Sequence, residues 1–267
     1  MVRNFLVGLL LVWKSRVWVL ASWMCVAVVA VVFMASEFSG RQPATVALDV
    51  GISVLKLIMP VLIALAVQEV ISKDIERRFY LYSLSYPNSR SQVLLGKLAS
   101  VVFISIFLVI LIAIGISVSV NIVALGYDQA TPVNLGVNYW VVIGFFIVDV
   151  LSIVGIATLL STISSTFGFL LVGTLGYTLV ARSFSGVIEL LKGSSVIVEN
   201  PETYESSISV LSFVLPDLGS LDVRTIALYD DLSLLPQGWE LLMLTIAFHT
   251  VAVVCLSVAI FSNRRFG

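Results

Sequence analysis

Apolar residues in this chain run in long blocks instead of alternating with polar ones. Six blocks stand out, at 17–35, 46–71, 98–125, 139–160, 167–181 and 239–261. A helix needs about 20 predominantly apolar residues to cross the hydrocarbon core of a bilayer. The pattern therefore predicts six transmembrane helices, the fifth short for a full crossing. The second block holds Lys56 and Pro60, and a proline inside a membrane helix removes a backbone hydrogen bond and kinks the helix. Between the fourth and fifth blocks lies only a small polar cluster, Ser161, Thr162, Ser164, Ser165 and Thr166. It is too short for a folded loop, so these two helices should form a tight hairpin. Gly168, Gly173 and Gly176 in the fifth block would let helices approach closely.

The polar stretches carry the rest of the organisation. At 36–45 and 126–136 they are short, with Gly40 and Pro43 as breakers in the first. Residues 68–97 form the one long polar, basic segment in the first half, with Lys73, Arg77, Arg78, Arg90 and Lys97. Within it, 74–85 mixes Ile75, Phe79, Tyr82 and Leu84 with Glu76, Arg77 and Arg78, and predicts a short amphipathic helix. Ser72 or Asp74 would cap its start, and Pro87 and Asn88 would stop it. Such a helix suits docking on a soluble partner; a solvated loop fits the same window. Residues 182–237 alternate apolar and polar positions and predict short helices, one dipping back into the membrane around 183–192. At the N-terminus, Arg3 precedes an apolar run at 5–13, with Lys14 and Arg16 after it and no small-residue cleavage site. Residues 1–16 are expected to form a retained interfacial helix, its basic residues facing anionic lipid. Trp13, Trp18, Tyr139, Trp140 and Trp239 fall near the predicted boundaries, as an aromatic belt would.

Composition agrees with the blocks. Of 267 residues, 59% are hydrophobic and 12% charged, with a mean hydropathy of +1.09; soluble domains have about 25% charged residues. The net charge of −1 and the lack of a basic tail give no ground for a nucleic-acid partner. Cys25 and Cys255 both sit in apolar runs, where they read as small buried residues and not as a disulfide framework. One histidine leaves little scope for a His-based metal site. Six crossings place both termini on one side. Ten of the fifteen basic residues lie in the termini and in 68–97, so the positive-inside rule makes both ends cytoplasmic. The expected fold is an all-α polytopic membrane protein, one domain over 1–267, in a bacterial cytoplasmic (inner) membrane.

Ionisable groups inside membrane helices are costly, by about 2.5–3.5 kcal/mol at mid-bilayer on insertion scales. Asp149 falls near the middle of the fourth helix and Lys56 in the second, at depths a lysine stem could bridge. They are expected to pair across the bundle. The competing readings are a snorkelling Lys56 and a neutral Asp149 bonded to a hydroxyl such as Ser152. His249 falls mid-helix in the sixth block, which invites comparison with an intramembrane serine protease. Ser152 and Ser161 qualify as nucleophiles by topology only, without a glycine-flanked motif or an oxyanion loop. A hydrogen-bonded packing histidine fits better. Nor is there a Walker loop: Gly96-Lys97 is followed by Leu98, and Ser91 stands where the first glycine should be.

The order of Glu69, a charged helix, then Leu84-Ser85, Pro87, Ser89-Arg90 and Leu94-Leu95-Gly96-Lys97 resembles the ABC-2 type permeases. These are the membrane subunits of ATP-binding-cassette exporters. The segment 213–229, the six-block layout and the closing Asn-Arg-Arg-Phe also agree, so the resemblance spans nearly the whole chain. Many relatives have a glycine after the charged pair of the loop helix; here Arg77 and Arg78 continue into Phe79, which bears on how the loop meets its partner. The resemblance implies a dimer of permease subunits, identical or paralogous, seamed along helices two and five. It also implies a separate ABC ATPase subunit that carries ATP and magnesium, so this chain would bind no cofactor and would not itself be an enzyme. Asp74, Ile75, Glu76, Arg77, Arg78, Phe79, Tyr82 and Leu84 would form the ATPase-coupling helix. Lipid, glycan, peptide, drug and ion cargoes all remain open. A machine of this kind could equally drive or assemble an envelope protein through 182–237 without moving cargo.

Overall fold

The computed structural model describes residues 2–76, 89–126, 133, 135–193, 215–236 and 238–263, the side chains at 185 and 187–193 excepted. Among them all regular structure is helical: α1 (Val2–Lys14), α2 (Val17–Glu37), α3 (Pro43–Val67), a π turn (Gln68–Ser72), α4 (Lys73–Glu76), α5 (Arg90–Ala124), α6 (Val137–Ile163), α7 (Phe167–Gly193), α8 (Thr225–Tyr229) and α9 (Trp239–Asn263). Single 3₁₀ turns cover Gly219–Leu221 and Leu232–Leu234. Six helices are long and apolar enough to cross a membrane. The chain is therefore a multi-pass membrane protein.

Helix limits depart from the apolar blocks in a consistent way. The second span does not stop near residue 71; helix continues from Pro43 through the π turn to Glu76, 34 residues in all. The third span starts at Arg90, not at 98, and is 35 residues long. At 1.5 Å per residue each is about 50 Å long, against a hydrocarbon core of about 30 Å. The polar residues at 68–76 and 90–97 therefore lengthen two antiparallel helices past the apolar zone, and they are not a loop. Neither Ser72 nor Asp74 caps a helix start, because the chain is already helical there. Ser89 does cap α5, accepting the Gln92 N–H at 3.4 Å. The rest of the expected coupling helix, including Arg77, Arg78, Phe79, Tyr82 and Leu84, lies outside the described residues.

The α6–α7 hairpin is as tight as expected, with 164–166 between the helices. Helix α7 runs on to Gly193, so the backbone at 183–192 continues that helix and is not a separate one. The inserted piece lies later. Leu218, Leu221, Val223, Ile226 and Ala227 are all buried, and the Leu218 N–H reaches the Ala181 carbonyl of α7 at 3.1 Å. Gly173 meets Leu160 across the hairpin, where an added Cβ would come within 2.8 Å. Gly168 and Gly176 instead face away from the described residues. Tyr139 leaves the aromatic belt altogether: it is 0% exposed, and its hydroxyl donates to the Ala113 carbonyl of α5 at 2.7 Å.

The core is formed by α3, α5 and α6, with Leu48, Leu55, Met59, Ile116, Ile143 and Phe146 fully enclosed. Four buried hydroxyls on the spans satisfy themselves: Thr158, Thr174, Thr178 and Ser257 each donate to the carbonyl four residues earlier. That removes the penalty of a polar atom in an apolar medium without a partner from another helix.

Candidate functional site

Among the described residues two polar assemblies interrupt the apolar bundle, one in each half. The first sits where α3 gives way to the π turn. Such turns tend to mark functional positions in helices, because the extra residue shifts the side chains that follow. Glu69 and Lys73 pair at i,i+4 along it. Asp74 then pairs with Lys97 of α5, with side chains only 14% and 6% exposed. This ion pair ties the two extended helices together beyond the apolar zone. Ile75 is buried as well. So of the three described coupling residues, Asp74 and Ile75 are committed to the bundle, and Glu76 alone is exposed. Asn4, Gln68 and Ser72 are buried at this end, and the Asn4 Nδ2, Gln68 Oε1 and Ser72 Oγ have no hydrogen-bond partner among the described residues. The start of α5 is tied to the end of α9 by Arg90 Nη1, which donates to the Ser262 carbonyl at 3.1 Å.

The second assembly is a chain of alternating charges in the other half of the bundle. Lys56 and Asp149 do not form the expected pair. Asp149 Oδ2 takes a hydrogen bond from Arg182 Nη2 at 2.6 Å, and Lys56 Nζ lies 2.8 Å from Asp222 Oδ1. Arg224 then joins Asp222 at 3.3 Å and Asp49 at 2.9 Å, and also reaches the Ser53 hydroxyl. The sequence reading missed Arg182 and Asp222 because the apolar block ends at 181 and Asp222 lies in a polar stretch. Both are brought in by tertiary structure, through the extended α7 and the inserted segment. Asp49, Ser53 and Lys56 occupy one side of α3, about 9–20 Å along it from Pro43 at 1.5 Å per residue. The inserted segment therefore descends well below the helix end.

Arg182 has a second task, and Pro60 explains it. Proline lacks the N–H that would close the helical bond to the residue four before it. In α3 that residue is Lys56. Its freed carbonyl accepts a hydrogen bond from Arg182 Nη1 at 2.8 Å. One guanidinium thus neutralises the Asp149 carboxylate and satisfies the carbonyl left open by Pro60. The Asp149 carboxylate is 3% exposed, and its Oδ1 has no hydrogen-bond partner among the described residues.

Ser152 and Ser161, the serines of the protease alternative, have other contacts. Ser152 Oγ lies 3.4 Å from the Tyr177 hydroxyl, and Ser161 donates to the Thr158 carbonyl at 2.8 Å. His249 is half-buried on α9. Among the described residues no three His, Cys, Asp or Glu side chains are grouped to hold a metal. Comparison with known proteins adds no relative: no family model matches the chain, and no curated protein matches it.

Proposed function

We propose that this chain is the permease subunit of an ATP-driven exporter of the ABC-2 kind, with ATP and magnesium bound by a separate ATPase subunit. The observation that carries the reading is the pair of extended helices. Helices α3–α4 and α5 are antiparallel, about 20 Å longer than the hydrocarbon core, cross-linked by Lys97 and Asp74, and joined through the charged segment that holds Arg77 and Arg78. Two rigid levers joined at their tip suit the transmission of a push from a soluble ATPase to the membrane. A solvated loop alone needs no such stiffening.

In this reading the lever end, both termini and α1 lie on the cytoplasmic side, with α1 in the headgroup region. The charge chain lies towards the other face. The exposed side of α7, with Gly168 and Gly176, meets a second permease subunit. Closure of the ATPase pair moves the levers, and the spans exchange between two arrangements whose relative stability the nucleotide sets. The segment 216–227 is held to α3 by charge and to α7 by the backbone hydrogen bond from Leu218 to Ala181, so its contacts have to rearrange for any exit path between those helices.

The test is co-purification in mild detergent, with Arg77→Glu and Arg78→Glu combined as the variant. An ATP-binding-cassette protein should accompany the wild-type chain and be lost from the double variant. Its absence from the wild-type preparation in several detergents would overturn the assignment. If the ATPase does co-purify, reconstitution into liposomes separates cargo export from a cargo-free mechanical coupler of an envelope protein.

A further inference from the structure

We infer that the elbow between α1 and α2 is a discrete binding site for one anionic phospholipid, an inference that does not depend on whether the chain moves cargo. The elbow is built, not loose. The Ser15 hydroxyl donates to the Val12 carbonyl at 2.7 Å and accepts the Val17 N–H at 3.3 Å, which fixes the turn. Above it the Trp13 and Trp18 rings lie 5.0 Å apart, and Trp18 stacks on Phe107 of α5 at 6.0 Å.

These rings wall a groove of about 420 Å³ between α1, α2 and α5. Small-molecule sites occupy roughly 300–1,000 Å³. Leu9, Leu10, Val12, Phe103 and Ile104 complete the lining, and no polar side chain is among the lining residues. A flexible alkyl chain fills an irregular apolar space of this size.

The elbow beside the groove carries the opposite chemistry. Lys14 and Arg16 are both exposed, on either side of Ser15. No acidic residue occurs before Glu37 to neutralise them. The helix that starts at Val17 is long and apolar enough to cross a membrane, which would put the two cations at the depth of lipid phosphates. The occupant is therefore a molecule with an alkyl chain below and a negative headgroup above. The bilayer is as apolar as the groove, so removal from water supplies no preference for the chain. Selection has to come from the headgroup, where each basic residue near an anionic surface contributes a several-fold preference.

Native mass spectrometry of the delipidated full-length chain tests this, with dioleoyl phosphatidylglycerol, dioleoyl phosphatidylcholine and chain-free glycerol phosphate as probes. One phosphatidylglycerol should bind per chain, favoured about thirtyfold over phosphatidylcholine, about fivefold for each of the two cations. Lys14→Gln with Arg16→Gln should abolish the preference, whereas Lys14→Arg with Arg16→Lys should keep it. Leu10→Trp, which fills the groove and leaves the charges in place, should weaken retention of both lipids. Equal binding of the two lipids by the wild-type chain, an unchanged preference in the Gln variant, or displacement of lipid by glycerol phosphate would overturn the site.

Discussion

Removing the carboxylate of Asp149 is the sharpest test of the charge chain, because Arg182 has two jobs that can be weighed separately. Breaking one side of a buried ion pair costs about 3–5 kcal/mol, since the remaining charge is left uncompensated. Asp149→Asn should therefore cost about that much, with Arg182 only 22% exposed and still tied to the Lys56 carbonyl. Asp149→Leu with Arg182→Leu removes both charges, and such replacements are often neutral. What remains is the Lys56 carbonyl, open again because Pro60 offers no N–H; losing a hydrogen bond of this kind costs about 1–3 kcal/mol when the group stays buried. Adding Pro60→Ala to the double variant restores the missing intrahelical donor and should recover most of that cost. The series can be read by tryptophan fluorescence during unfolding in mixed dodecyl maltoside and dodecyl sulfate micelles. The expected order of stability is wild type close to the triple variant, then the double, then Asp149→Asn. Two results would refute the reasoning: Asp149→Asn within about 0.5 kcal/mol of wild type, the range of an inconsequential surface change, or a double variant as costly as the two single changes added together.

Three further outcomes follow from the same contacts. Lys56→Met should loosen the inserted segment by removing the partner of Asp222, and maleimide labelling of a cysteine placed at Val223, now 2% exposed, should speed up severalfold. Lys97→Met should destabilise by about 3 kcal/mol as a broken buried pair, and exchanging the two charges in Lys97→Asp with Asp74→Lys should recover part of that loss in the same micelle assay. At Gly8 an added Cβ would fall 2.0 Å from the Ser100 hydroxyl, so Gly8→Val should lift α1 off α5; cross-linking of cysteines at Phe5 and Phe103, whose rings lie 5.9 Å apart, by a short bis-maleimide should then slow severalfold.

The spans were legible because hydrocarbon imposes one rule on every residue: about 20 apolar positions in a row, with backbone bonds closed within the helix. That rule places helices but does not end them. Polar residues are tolerated once a helix leaves the apolar zone, so Gln68–Glu76 and Arg90–Lys97 read as loop although α-helical and π-helical bonds continue through them. The Lys97–Asp74 pair spans a sequence gap of 23 residues, and no local pattern announces it. The hairpin at 164–166 was readable for the opposite reason, since a three-residue connection between two apolar helices leaves few geometries open. The role of Tyr139 was misjudged because an aromatic near a block boundary looks alike from the sequence whether it faces headgroups or, as here, a carbonyl of the neighbouring helix.

Lys56 and Asp149 show the limit most clearly. Opposite charges inside apolar blocks were the right residues to single out, because each demands compensation. Compensation need not come from within the blocks. Arg182 stands one residue past the fifth block and Asp222 on a segment that looked extramembrane, yet these are the partners. A signal for one of them was present in Pro60: its missing N–H frees the carbonyl of Lys56, and a freed carbonyl in a membrane helix requires a donor. Lys56 extends its own ammonium to Asp222, so the donor has to come from elsewhere in the bundle. A guanidinium, with its five N–H groups in a fork, can satisfy that carbonyl and a carboxylate together. The kink residue and the ion pair are thus parts of one arrangement. Asp149, Arg182, Lys56 and Pro60 should therefore be altered together, not one at a time, when the movement of α3 against α6 and α7 is examined.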